Sequence, residues 1–280
     1  MHTITETMEQ YHSSPGLSAS GVKELLRSPK HFHHRYILGN RREETEALRF
    51  GTIVHAAIIE PQRFLNNYVI EPKFVGKTKD GRDSERSAAA KQMRDEWFSS
   101  LEPDAILVSQ EDADAIVGMI ESVQGHPDAC AALKRGIPER SCYADIAMPS
   151  GQTVRMKSRP DYLREDGTLV DLKTTMNAGF EEFRAQIRKL EWDTQAAIGV
   201  DVLHAITGKR QDFVWIAIEK EPPYCCAVYV ANDVPLEIGK RRYVRAAETY
   251  LRCLETDRWP FQEQAQNMDS PYWAMFTEEI

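Results

Sequence analysis

The hydrophobic period changes partway along this chain, and that change limits the fold more than any other feature. Up to about residue 138 the apolar residues recur at helical spacing. From "SCYADIAM" onward they alternate in short runs separated by the turn signals "PSG" and "EDG". "SCYADIAM", "QTVRMKSRPDYL" and "TLVDLKTT" therefore predict a meander of three strands. Helical spacing returns in "FEEFRAQIRKL" and from about Asp193 to Ile206. Two strand-like runs follow, "DFVWIAIEK" and "YCCAVYVA", and then a long helix from about Pro235 to Leu254. This order predicts a single domain over 1–280 of the α/β class, with a mixed α+β sheet. Residues 1–138 form its mainly helical N-terminal part, and 139–280 its strand meander and core.

Within the helical part, "GLSASGVKELLRSPKHFHHRYI" predicts a helix capped by Ser18 or Ser20 and broken at Pro29. "LRFGTIVHAAIIEP" predicts an apolar helix stopped by Pro61, and residues 73–86 a polar loop. "SERSAAAKQMRDEWFSS" and "SQEDADAIVGMIESVQ" predict two more helices, the second capped by Ser109. At 280 residues the chain can bury a sizeable core. No run approaches the roughly 18 apolar residues of a membrane span. The N-terminus lacks the basic and apolar regions of a signal peptide, which predicts a cytoplasmic protein. Five cysteines without CxxC spacing argue against a disulfide framework, a zinc ribbon or a four-cysteine iron–sulfur site. A net charge of −8 argues against a generic polyanion binder but says little about a local groove. Lys, Arg and His are concentrated in "RSPKHFHHRYILGNRR" and "KFVGKTKDGRDSER".

The chemistry is concentrated in "SRPDYLREDGTLVDLKTT", which holds Asp161 after a proline, Asp171 ten positions on, and Lys173 two further. A lone DxK is usually a strand-end acid with an exposed partner. Here a tight turn reverses the chain between the two acids, and Asp171 and Lys173 share one strand face. Two carboxylates and a backbone carbonyl suit Mg²⁺, with Mn²⁺ as substitute. A lysine beside such an ion can orient the attacking water or steady the phosphate. These are the parts of metal-dependent phosphodiester hydrolysis, in the PD-(D/E)xK pattern. His55 lies in the apolar "FGTIVHAAIIEP" helix, where a histidine is usually a core residue, and Gln195 lies in "WDTQAAIG".

With these neighbours the chain resembles the RecE-type exonuclease VIII family of prophage recombination enzymes, within the RecB-like PD-(D/E)xK nucleases. The resemblance runs through "YHSSPGLSASGVKELLRSPKHF", "LRFGTIVHAAIIEP", "SRPDYL", "VDLKTT", "WDTQAA", "DRWP" and "SPYWA", in family order. It implies a restriction-endonuclease-like core. It implies further that His55, Asp161, Asp171 and the Leu172 carbonyl hold the metal. Lys173 is then the catalytic lysine, and Gln195 the glutamine of a QxxxY motif. Gly199 stands where that motif has tyrosine. Glu139 precedes the strands at a spacing unlike that of relatives, so it is left outside the predicted site.

"LSASGV" is similar to the "TAS" stretch of lambda-type exonucleases, which places Ser20 at a DNA 5′-phosphate; as a helix cap it could serve both ends. Arg159, two before the first acid, could fork onto a phosphate. Lys77, Lys79 and Arg82 either flank DNA or belong to a solvated loop. The nearby "GKT" is no Walker loop, because Glu71 stands where its first glycine is needed, so no nucleoside triphosphate is expected. The resemblance implies a Mg²⁺-dependent, ATP-independent exonuclease acting 5′→3′ on linear double-stranded DNA and leaving 3′ single-stranded tails. It also implies a ring-like homo-oligomer (tetramer or trimer) and a single-strand annealing partner. Two alternatives remain: a RecB- or Cas4-like single-strand nuclease or endonuclease, and an inactive DNA-binding module.

Overall fold

Serine and threonine caps set where the N-terminal helices begin in the computed structural model, which describes residues 2–40, 45–102 and 105–261. A short strand β1 (His2–Ile4) leads into α1 (Met8–Ser13), closed by a Thr7–Gln10 capping box. In α2 (Ala19–Arg27) the Ser18 hydroxyl accepts the Gly21 N–H at 3.2 Å. Ser18 is therefore the cap, which leaves the Ser20 hydroxyl out of that role. Ser28 starts α3 (Pro29–Phe32), which continues into a π-helical turn, His33–Ile37. Thr45 caps α4 (Glu46–Ile59), and Pro61 both ends it and opens α5 (Pro61–Asn67) from the first helical position. After β2 (Tyr68–Ile70), the expected polar loop contains a small hairpin, β3 (Gly76–Lys77) and β4 (Asp83–Ser84), packed on α6 (Ala88–Ser99). Then β5 (Ile106–Val108) pairs with β2, Ser109 caps α7 (Gln110–Gly125) as expected, and α8 (Pro127–Ala132) follows.

The remaining elements are β6 (Gly136–Pro138), β7 (Ser141–Ala147), β8 (Thr153–Ser158), β9 (Tyr162–Arg164), β10 (Leu169–Thr175), α9 (Phe180–Lys189), α10 (Trp192–Thr207), β11 (Phe213–Glu219), β12 (Cys226–Val230) and α11 (Asp233–Thr256). The predicted three-strand meander is corrected here. Its strands divide between a three-stranded sheet, order β1-β7-β8, and a five-stranded sheet, order β12-β11-β10-β9-β6. Arg159, Pro160 and Asp161 carry the chain from one sheet to the other. Proline has no N–H for a ladder, so pairing along β8 stops at Ser158 and restarts at Tyr162. Asp161 therefore precedes a strand rather than ending one.

In the five-stranded sheet β10 and β11 run parallel, joined over one face by α9 and α10. Their side chains alternate cleanly between two apolar layers. Leu169, Phe213, Trp215 and Ala217 pack with Ala196, Val200, Leu203 and Tyr243 of α10 and α11. Val170, Leu172, Val214, Ile216 and Ile218 pack with Ile53, Val54, Ile116 and Met119 of α4 and α7. Strands buried on both faces are ordinarily continuous apolar runs. Asp171 and Lys173 interrupt this one, and the alternation turns both toward α10.

Gly199 lets α10 approach the sheet closely: a Cβ there would lie 3.0 Å from Leu169 Cδ2 and 3.3 Å from Ser158 Oγ. Any side chain at this position would have to displace those two, so the glycine here goes with close packing of α10 on the sheet. After α11, Trp259 of "DRWP" stacks on Phe32, with ring centroids 5.8 Å apart. The "SPYWA" stretch and the arginines of "NRR" lie outside the described residues. Among the described residues, no helix is long and apolar enough to cross a membrane.

Candidate active site

Five of the predicted residues meet where the chain crosses between the sheets. Asp161 Oδ2 accepts the Leu172 N–H at 2.7 Å and lies 3.3 Å from Nδ1 of His55, which α4 presents from the opposite layer. Asp171 is fully buried, and its Oδ1 accepts Gln195 Nε2 of α10 at 2.7 Å. Lys173 Nζ lies 2.5 Å from Asp171 Oδ2 and donates to Gln195 Oε1 at 3.3 Å. The same ammonium sits 5.5 Å from the centroid of the Trp192 ring. Gln195 thus holds both members of the DxK pair. The N–H and C=O of a strand residue point to one side, so the Leu172 carbonyl is turned toward the Asp161 side.

Negative charge is crowded here, and the protonation equilibria record it. Burial, reinforced by the Asp161 charge, raises the Asp171 carboxyl above its usual range despite the opposing Lys173 ammonium. Burial also pushes Asp161 upward, but His55, Lys173 and the Leu172 N–H together bring it below the usual value. For His55 burial acts downward, and the charge and hydrogen bond of Asp161 outweigh it, so the imidazole is raised. Glu139 joins this group. Its N–H donates to the Asp161 carbonyl at 3.0 Å, and burial and the Asp161 charge raise its carboxyl against the pull of Arg159. Chain spacing conceals Glu139. Sheet pairing reveals it, because Pro138 faces Tyr162 and so sets Glu139 beside Asp161.

A cleft of about 970 Å³ opens onto this centre, lined by Ser20, Lys23, His55, Glu139, Asp161 and Gln195. Lys23 was not anticipated. Backbone bonds fix its helix here: Leu17 N–H donates to Arg155 O at 2.8 Å, and Lys157 N–H donates to Leu17 O at 3.1 Å. A pocket of about 490 Å³ between α10 and α11 contains none of the predicted residues.

The expected DNA contacts fare unevenly. Ser20 is exposed at the cleft. Arg159 lines the cleft but is not free to fork onto a phosphate with Nε and Nη1, because both already have protein acceptors. Nε donates to Glu139 Oε2 at 2.6 Å, and Nη1 donates to Glu6 O at 3.0 Å and Ser141 Oγ at 3.1 Å. Arg159 therefore ties down the N-terminal segment. On the β3–β4 hairpin Lys77 pairs with Asp83 at 2.6 Å and Arg82 with Asp80 at 3.1 Å. Neither these two nor Lys79 lines the cleft.

Among the described residues, no three His, Cys, Asp or Glu side chains form a ready metal cage. The two acids are turned instead to Lys173, Gln195, His55 and the Leu172 N–H. The donor set still fits a hard divalent cation. Asp171 Oδ2 is buried with the Lys173 ammonium beside it, Asp161 lies against His55, and its bond from the Leu172 N–H turns the Leu172 carbonyl to the same side, so the donors are hard oxygens and one imidazole.

A family model described as a PDDEXK-like domain of unknown function, DUF3799, matches residues 18–271. A crystal structure from Eubacterium rectale, described as that of a candidate exonuclease, is similar over 99% of this chain and 100% of its own, with a TM-score of 0.64 and 14% identity. That likeness concerns the fold. A phage-related exonuclease from Haemophilus somnus 129PT aligns over 89% of this chain and 100% of its own, at a TM-score of 0.34 and 8% identity, too low to support an argument. No curated protein sequence matches.

Proposed function

Since the chain belongs to the PDDEXK-like family whose model spans residues 18–271, we propose that it is a Mg²⁺-dependent, ATP-independent exodeoxyribonuclease acting on linear double-stranded DNA. The mixed α/β architecture is that of a restriction-endonuclease-like core. The observation that supports the reading is the convergence of Asp171 and Lys173, through Gln195, with His55 and Asp161 beside one cleft that His55, Asp161 and Gln195 line.

Asp161, Asp171, His55 and the Leu172 carbonyl would hold a divalent cation that polarises the scissile phosphate and lowers the pKa of a bound water. The protein's own groups do the rest. Lys173 Nζ, fixed by Gln195 and flanked by Trp192, donates a hydrogen bond to the attacking oxygen and faces the charge that builds on the phosphate. Gln195 keeps Asp171 and Lys173 in register. Ser20, at the start of α2, receives the 5′-terminal phosphate, so that digestion runs 5′→3′ and leaves 3′ single-stranded tails. In this reading, which follows the RecE-type resemblance, the protein works in the cytoplasm as a ring-like homo-oligomer alongside a single-strand annealing protein.

The test is digestion of end-labelled linear duplex, with circular duplex and single strands as controls. Mg²⁺ and Mn²⁺ should support release of label from 5′ ends, while Ca²⁺ should permit binding with little cleavage. Full activity in EDTA, or efficient cutting of circles, would contradict the proposal. Preferential loss of 3′ label would reverse the polarity.

A further inference from the structure

Each of the other cations drawn into this part of the molecule has a protein acceptor. Lys157 Nζ donates to the Tyr11 and Ser14 carbonyls, each at 2.7 Å. Arg159 holds Glu139, Arg242 holds Asp193, and Arg35 pairs with Glu24. Lys23 differs: among the described residues its ammonium makes no hydrogen bond and has no carboxylate within ion-pair distance. It is partly buried in the cleft wall, on the same α2 face as Ser20, three residues away. Burial and the like charge of Lys173 together lower it to about 8, against weaker pulls from Glu191, Asp171 and Asp193.

A desolvated ammonium near a second ammonium costs stability, and among the described residues nothing pairs with it. An anion entering the cleft would use it. Of the candidates, a DNA phosphate suits the place. It can lie between Lys23 and the Asp161–Asp171–Lys173 centre, relieving the repulsion between the two lysines, with the Ser20 hydroxyl as a further donor. On the basis of the nuclease reading above, we propose that Lys23 binds a phosphate of the substrate strand beside the catalytic centre. It thereby supplies a cleft-side cation that, unlike Arg159, is not tied to a carboxylate among the described residues.

The proposal is tested with Lys23→Met, which keeps the aliphatic stem, and with Lys23→Arg. Three quantities are measured: Tm, binding of 5′-phosphorylated and 5′-hydroxyl duplexes in Ca²⁺ across a salt series, and single-turnover cleavage in Mg²⁺. Lys23→Met should match or exceed the parent in Tm, yet bind duplex about tenfold more weakly. Its log–log salt dependence should be shallower by about one unit, the mark of one lost phosphate contact. Lys23→Arg should recover most of the affinity. Loss on both duplexes would place the phosphate within the strand, and loss on the phosphorylated one alone would place it at the 5′ terminus; either supports the proposal. A lower Tm in Lys23→Met, or unchanged affinity and salt slope, would overturn it while leaving the nuclease reading intact. A parent protein that neither bound nor cut duplex would overturn both.

Discussion

Asp171, which faces α10, and Asp193, in the first turn of α10, are both buried carboxylates, and they are held in opposite ways. Asp193 is fully satisfied: Arg242 Nη1 of α11 lies 2.7 and 2.8 Å from its two oxygens, and the Thr194 N–H donates at 2.7 Å. Next to it α11 comes so close that a Cβ on Gly239 would fall 2.1 Å from the Asp193 carbonyl oxygen. Asp193 pins two helices together. Asp171 has Gln195 on one oxygen and the Lys173 ammonium, 2.5 Å away, on the other, and burial, reinforced by the Asp161 charge, raises its carboxyl. A buried charge whose partners are complete belongs to the fold. One crowded against a second acid is kept for a ligand, and stability is lower for it.

The comparison would break first at Arg242. Arg242→Ala leaves Asp193 buried without its cation and should lower stability by about 3–5 kcal/mol in urea unfolding, with the rate per folded molecule little changed. A small loss would mean that the pair is ornamental and the contrast empty. Next in size, Asp161→Asn, Asp171→Asn and Lys173→Met should each slow duplex cleavage by at least about two orders of magnitude. The folded state disfavours the ionised Asp171, so at neutral pH Asp171→Asn should melt at or above the parent temperature. An Asp171→Asn protein that cleaved at nearly the parent rate would remove the residue from the site.

Arg159 sharpens the comparison, since it stands two residues from Asp161 and yet belongs with Asp193. Arg159→Ala should cost roughly 1.5–3 kcal/mol of stability through the lost Glu139 and Glu6 contacts. Any change in rate should be equal on 5′-phosphate and 5′-hydroxyl ends. A loss confined to phosphorylated ends would return it to the DNA interface.

The smallest effect is a pH dependence. Lys23 faces Lys173, Glu191, Asp171 and Asp193, and its folded value of about 8 lies below the ordinary lysine value of 10.5. The penalty for its charge is therefore fully present below pH 8 and is relieved as pH rises from there toward 10.5, because the unfolded chain then binds more protons. The Tm advantage of Lys23→Met should accordingly shrink between about pH 8 and 10. A constant gap across that range would show that the ammonium is not strained.

Much of this was legible in the sequence because it rests on local pattern. The alternation in "TLVDLKTT" put Asp171 and Lys173 on one face, and the serine before "QEDADAIVG" marked a helix start. What escaped depended on long-range pairing. "QTVRMKSRPDYL" alternates as one strand, and only the two sheets reveal that it is cut at Pro160. Arg159 has a good position for a phosphate until Glu139, twenty residues earlier, closes on it. Lys23 resembles any solvated helix lysine, since the cleft it lines is shared with residues far away in the chain, such as Asp161 and Gln195. Gly199 reads as a lost tyrosine until the tight contact of α10 with Leu169 and Ser158 is seen.

The account turns on whether Asp161 and Asp171 are reserved for a cation, and one measurement addresses that without any cleavage: the melting temperature of the DNA-free protein as Mn²⁺ is titrated in. A ligand that binds only the native state raises Tm with its concentration. The parent should rise progressively, Asp161→Asn and Asp171→Asn should stay flat, and Lys23→Met should follow the parent. A parent whose Tm did not respond to Mn²⁺, or acid variants that responded as strongly as the parent, would contradict the assignment of Asp161 and Asp171 to a metal centre.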